Sequence, residues 1–228
     1  TINKRLRHLG TAFRWAIKQN HTRVNPVSEI DKLKTPKKLP REIPRKDVKT
    51  LIELSEGKWV GDYIRAAAYG GFRSGEIVGI SEDDIDFTND FVTVTGKFNK
   101  ERQVPLFPSL KSLFQEILNR SEEEDLRYLR KSGHDGRAPG MLFYQVAKTT
   151  SVYHAFKEII EEKWPKDEKR NRYRSHDLRH TFATNYLRNG GSLEKLRKIL
   201  GHENIQTTLI YEHLIVDDLQ EEEDPVTY

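Results

Sequence analysis

One window of two-residue alternation, set in a chain of otherwise helical spacing, limits most strongly what this sequence can fold into. Ile85-Asp86-Phe87, Phe91 to Thr95 and Arg102 to Phe107 alternate apolar and polar residues. Val92 and Val94 fall on one face, Thr93 and Thr95 on the other. With a bend at Lys97 to Lys100, these runs predict a small three-stranded antiparallel sheet. The fold class expected is α+β, mainly α-helical.

Helical spacing flanks the window. Segments 46–56, 61–70, 109–119, 150–163, 177–188, 193–200 and 205–214 read as helices, and Gly190-Gly191 and Gly201 fall where helix ends are expected. Residues 121–140 are charged and contain glycine, as a loop or loose helix would. Residues 2–19 place Leu6, Leu9, Phe13 and Ile17 at spacings of three and four, an amphipathic helix that breaks between Asn20 and Pro26. Lys and Pro then dominate from Lys32 to Pro44, where no long helix survives. The boundaries expected are 1–33 for a helical fragment that cannot bury its apolar face alone, 34–44 for a basic linker, 45–216 for the main domain and 217–228 for an acidic tail.

Charge is distributed unevenly. Residues 1–50 hold 14 Lys or Arg against 4 Asp or Glu, a net of +10, although the whole chain carries only +4. Residues 212–228 hold 7 acids and no Lys or Arg. A basic arm fits a polyanion partner, most simply nucleic acid, and fits a solvated surface equally well. The chain has no cysteine, which excludes disulfides, thiolate catalysis and cysteine-based zinc sites. No apolar run approaches ~18 residues and no signal-peptide pattern opens the chain, so a soluble, cytoplasmic protein with no membrane partner is expected.

The groups that carry chemistry are spread along the chain. They are Arg73 in Gly71-Phe72-Arg73-Ser74-Gly75-Glu76, Lys97 after Gly96, His176 and Arg179 in His176-Asp177-Leu178-Arg179-His180, His202 after Leu200-Gly201, and Tyr211. Singly each has a plainer reading: an Arg–Glu ion pair, a decorated helix face, a capping histidine, a half-buried aromatic. Together they suit phosphoryl transfer. Negative charge gathers on the non-bridging oxygens, where two guanidiniums bind as planar forks and do what a metal does elsewhere. A lysine on a hairpin can protonate a leaving oxygen, and a histidine can take the proton of a phenol whose pKa is otherwise ~10.

In order and spacing these motifs resemble those of the tyrosine recombinases, the phage-integrase family. The Gly-x-Arg with Glu three residues on, the hairpin Thr-Gly-Lys, the His-x-x-Arg box, the Leu-Gly-His box and the Tyr211 segment all match. The resemblance covers roughly residues 40–215, a catalytic domain, and makes residues 1–30 the last helix of a core-binding domain. It implies a site-specific DNA recombinase or integrase that cleaves and rejoins strands through a 3′-phosphotyrosyl link, with no metal, ATP or other cofactor. Tyr211 would be the nucleophile, Arg73 and Arg179 the phosphate clamp with a hydrogen bond from His202, Lys97 the acid and His176 the acceptor of the tyrosine proton. Glu76 would buttress Arg73, and His180 would pack or hydrogen-bond behind the site. The partners implied are a double-stranded recombination site, further copies of the chain (a dimer on a site, a tetramer in synapsis) and accessory DNA-bending proteins. The gene would belong to a prokaryotic cell, a phage or a mobile element. In the family the segment after the tyrosine packs on a neighbouring protomer; a flexible acidic tail suits residues 217–228 equally.

Three other readings are compatible with parts of the pattern. A topoisomerase of type IB would use nearly the same residues to relax one duplex. Residues 193–213 imitate a helix-turn-helix, which a binding protein without catalysis would use. His176 and His180 have the spacing of a zinc-protease helix, but Asp177 stands where that motif has Glu, and Arg179 would set a fixed cation beside the metal.

Overall fold

The structure, a computed structural model, describes residues 2–34, 39–96, 99–120, 142–143 and 149–219, with backbone alone at 149–151 and 213–219. The expected loop or loose helix at 121–140 and the tail beyond 219 lie outside the described residues. The chain divides into two units, Thr1–Lys38 and Leu39–Tyr228.

The first unit is built on α1 (Ile2–Lys18), which ends where Asn20 turns to a φ of 59°. The chain then returns along it. The Asn3 amide donates to the Leu33 carbonyl at 2.8 Å and accepts the Leu33 N–H at 3.0 Å. One side chain thus pairs the backbone of a segment with no regular structure of its own.

In the second unit, α2 (Arg45–Leu54) and α3 (Trp59–Gly70) come first, then the short α4 (Ser74–Val78). The strands β1 (Ile85–Asp86), β2 (Phe91–Thr95) and β3 (Glu101–Pro105) follow, then α5 (Pro108–Leu118), α6 (Thr149–Lys163), α7 (Ser175–Arg188), α8 (Leu193–Leu200) and α9 (Gln206–Leu219). The strands form one antiparallel sheet in the order β1-β2-β3, with Ile85 opposite Val92 and Val92 opposite Val104. That register puts Val92, Val94 and Val104 on the inner face, all fully buried, as the alternation predicts.

The apolar run of α3 explains the helical arrangement. Val60, Tyr63, Ile64, Ala66 and Ala67 are buried, and the small Ala side chains let neighbours approach closely. α2, α5, α6 and α7 all pack against α3, while α8 lies on β3 and α9 on α7 and α8. Full burial of residues such as Leu51, Ile64, Leu110 or Leu178 contributes about 1.5–3 kcal/mol each. Among the described residues no helix is long and apolar enough to cross a membrane.

Residues 39–44 differ from the expected linker. Ile43 is 0% exposed, its N–H bonds the Thr181 hydroxyl of α7 at 2.8 Å, and Glu42 pairs with Arg188. This stretch is part of the second unit. Lys and Pro report that a segment cannot be a helix; they do not report whether its one isoleucine finds a hydrophobic slot.

Candidate active site

Two glycine turns create the site. Gly71 follows α3 in the left-handed region at φ 64°, where a Cβ would lie 2.3 Å from the Phe182 ring. The turn sends Phe72 into the core and leaves Arg73 at the N-cap of α4. Glu76, at the third position of that helix, reaches back. Its carboxylate accepts the Arg73 backbone N–H at 2.7 Å and the Arg73 guanidinium at 2.8 Å.

The same carboxylate serves two more arginines. Arg102 of β3 donates to both oxygens at 2.8 and 2.9 Å, and Arg179 Nη1 stands 3.7 Å away. Glu76 is only 4% exposed. Burial alone would raise its pKa, but the bonds and charge of Arg102, with the two hydrogen bonds from Arg73, outweigh it and bring the carboxyl down to about 2. Three guanidiniums against one carboxylate leave the cluster with an excess of positive charge.

Arg179 projects from α7, whose start is capped by Asp177 accepting the Arg174 N–H at 3.0 Å. Its guanidinium, 2% exposed, donates to the Gly71 carbonyl at 2.8 Å and the Leu200 carbonyl at 2.6 Å. The arginine motif, the His-x-x-Arg helix and the Leu-Gly-His turn therefore meet on one side chain. Burial, then repulsion from Arg73, pushes its pKa down to about 9, so it remains protonated at neutral pH.

Arg179 also decides the tautomer of His202. Its Nη2 lies 3.2 Å from His202 Nε2, and a guanidinium has nothing to accept with, so Nε2 accepts and Nδ1–H donates to the Thr208 hydroxyl at 3.0 Å. Burial, then the charge of Arg179, lowers the His202 pKa to about 4 and keeps the ring neutral. In this arrangement His202 has no free N–H for a phosphate oxygen. To donate one it must turn or gain a proton.

Tyr211 is 1% exposed, and its hydroxyl lies 2.8 Å from His180 Nδ1. The residue in contact with the phenol is therefore His180, not His176. The two imidazoles share a face of α7 one turn apart, edge to face at 4.9 Å, and Tyr211 on α9 meets the second of them. Burial raises the Tyr211 pKa against the pull of Arg179 and Arg73, while burial and then His176 lower that of His180 to about 4. At neutral pH the phenol keeps its proton and faces a neutral imidazole. Burial, then Arg179, also lowers the pKa of His176.

These shifts carry a stability prediction. His180 and His202 fold at about 4, below the ordinary 6.5, so between those values the unfolded chain holds the extra protons. Their stabilisation is full above pH 6.5 and is lost as pH falls toward 4. Glu76, at about 2 rather than 4.5, adds a further loss below pH 4.5. The melting temperature should drop by about 5 °C from pH 6.5 to 4.5, and His180→Gln should flatten part of that slope. A Tm constant over this range would mean that the folded imidazoles are not held neutral.

Lys97 lies outside the described residues, as does Phe98. Lys100, three residues on from Lys97 in the sequence, pairs with Glu203 next to the Leu-Gly-His turn. A cleft of about 640 Å³ opens here, lined by Arg73, Lys100, Arg102, Arg197, Lys198 and His202, with Gly201 at its wall. Among the described residues no group of three or more His, Cys, Asp or Glu could hold a metal ion, so no such partner joins His176 and His180. Motif spacing does not mark Arg102 or Thr208. Arg102 left a trace: it shares the inward face of β3 with Val104, where a charged side chain needs a buried partner. Thr208 left none.

Residues 41–217 match the phage integrase family. The tyrosine recombinase XerC of Escherichia coli O157:H7 (strain EC4115 / EHEC) is 33% identical over 215 residues, which are 92% of this chain and 68% of that protein. Among solved structures, XerA recombinase has a TM-score of 0.62 at 24% identity, covering 94% of this chain and 74% of that one. The Tn1549 transposon integrase, solved in complex with circular intermediate DNA, has a TM-score of 0.68 at 22% identity, covering 92% and 73%. These two likenesses concern the fold. The family match spans the whole stretch in which the arginines, histidines and tyrosine converge, and the chain belongs to the phage integrase family of tyrosine recombinases, enzymes of site-specific DNA recombination.

Proposed function

We propose that this chain cuts and reseals duplex DNA with Tyr211 as the nucleophile. The observation that carries the reading is the Tyr211 hydroxyl held on the His180 imidazole while Arg73 and Arg179 act on it electrostatically. In the step proposed, the Tyr211 oxygen bonds to phosphorus as its proton passes to His180. The bond from phosphorus to the 5′ oxygen breaks, and Lys97 gives that oxygen a proton. The products are a 3′-phosphotyrosyl link and a free 5′-hydroxyl. Attack by a 5′-hydroxyl from another strand reverses each transfer.

Arg73 and Arg179 take the non-bridging oxygens, Arg73 with the freer hand because its guanidinium is less buried. His202, turned from Thr208, adds a donor, and burial, with His176 beside it, keeps His180 neutral. A duplex partner is supported by the solved neighbours, which include the Tn1549 integrase on circular intermediate DNA and a lambda integrase dimer bound to a COC′ core site. Pairing of copies on a site, a tetramer in synapsis, accessory bending proteins and a cytoplasmic place belong to the same reading.

The test is covalent capture. A pool of nicked duplexes with randomised arms, incubated with the chain in EDTA without ATP, should yield adducts that survive denaturation. The released strand should carry a 5′-hydroxyl that a kinase can label, and the recovered arms should converge on an inverted repeat. No adduct, or one through the 5′ end, would overturn the reading. On a recovered duplex, Arg73→Ala and Arg179→Ala should each slow adduct formation by about 10²–10³-fold, as loss of an oxyanion donor does elsewhere. Cleavage at the parental rate by either variant would remove it from the clamp.

A further inference from the structure

We propose that Arg102 is a positioning residue for cleavage, anchoring to the phosphate clamp the β2–β3 hairpin, whose strands flank Lys97 in the sequence. This rests on the reading of Lys97 as the acid and extends it by one residue. The two strands pair with Val94 opposite Arg102 and Thr95 opposite Glu101, and the Gly96 N–H donates to the Lys100 carbonyl at 2.7 Å to close the base of the turn. Two short strands are a weak mount for an acid that must meet an oxygen within hydrogen-bond reach. Arg102 supplies the fixing.

Its side chain, 12% exposed, spends its nitrogens on two separate parts of the domain. Nη1 and Nη2 grip Glu76, the partner of Arg73, and Nε donates to the Ile199 carbonyl at 2.7 Å, in the last turn before the Leu-Gly-His box. The fit is close at the Leu-Gly-His turn, where a Cβ on Gly201 would lie 2.8 Å from Arg102 Cδ. To swing away from the clamp, the hairpin must break three sheltered, charge-assisted hydrogen bonds. The Lys100–Glu203 pair spans the same gap, but both side chains are exposed, and a surface pair of that kind adds little. Because both Nη groups of Arg102 face Glu76, its charge is matched there, which separates its role from that of Arg73 and Arg179.

The experiment measures single-turnover adduct formation on a nicked duplex recovered by the capture above, in two forms. One has the ordinary 5′ oxygen as leaving atom and the other has sulfur in that bridging position. A thiol has a pKa of ~8.5, against ~16 for water-like oxygen, so a thiolate leaves without a proton donor. Arg102→Gln and Arg102→Lys should slow the oxygen substrate by about 30–100-fold, the scale expected when a reacting group is misplaced by an ångström. On the sulfur substrate both should recover to within about threefold of the parent, as should Lys97→Ala. Where Arg102→Gln does not fold, Arg102→Lys, which keeps the charge beside Glu76, is read in its place. If Lys97→Ala recovers on sulfur and the Arg102 variants do not, Arg102 acts through the clamp or the fold and the proposal is wrong. Parental rates on oxygen would also sink it. If Lys97→Ala itself fails to recover on sulfur, Lys97 is not the acid, and the anchoring role falls with it.

Discussion

Tyr211→Phe is expected to form no covalent adduct, a loss of about 10⁵-fold or more, while binding duplex DNA as well as the parent. The substitution removes one oxygen and nothing else. The ring is 1% exposed and packs in the core, so Phe fills the same space, and among the described residues the bond lost is that to His180 Nδ1. A single hydrogen bond of this kind is worth about 1 kcal/mol, small beside the chemical effect. Denaturing gels with labelled nicked duplex read the adduct, and gel shifts read binding. An adduct persisting in the variant would move the nucleophile to another residue. Loss of binding together with cleavage would make Tyr211 a structural residue first.

Glu76→Ala is expected to cost about 3–5 kcal/mol of stability, because removing one member of a buried ionic group strands the others. Here three are stranded: Arg102 loses two bonds, Arg73 two (guanidinium and backbone N–H), and Arg179 its nearest counter-charge. For a domain of this size the melting temperature should fall by about 10 °C. Glu76→Gln keeps the shape and part of the bonding and should fall less. Calorimetry with adduct assays on both variants checks this. A Glu76→Ala variant melting within a degree or two of the parent would show that the arginines repel one another too weakly to need it.

The main elements were legible because their signals are local. Residues 91–95 alternate, so β2 lies where expected; Ala66 to Ala68 mark a closely packed helix, and α3 is central. Gly201 was legible too, as a residue expected at a helix end, though not what a side chain there would strike, which is Arg102; at Gly71 it is Phe182. Ile43 escaped because it is held by Thr181, whose hydroxyl accepts its N–H from 138 residues away in sequence. The short α4 escaped for another reason: five residues are too few to show a period, and its start is marked only by Glu76 reaching back to Arg73.

The sequence by itself determined the chemical inventory: which residues bear guanidinium, imidazole and phenol, in what order, and on which faces of which helices. Those properties depend on spacings of two to four residues, which the backbone repeats enforce. Only the tertiary structure decided the pairings. His180 rather than His176 meets the phenol, Thr208 and Arg179 set the tautomer of His202, and one carboxylate gathers three arginines. Arg179 reaches the Gly71 carbonyl across 108 residues of chain, and Arg102 reaches Ile199 across 97. No local repeat spans such distances. They are set when the apolar faces of α3, α7 and α8 pack, and burial then keeps the imidazoles neutral and Tyr211 covered from solvent.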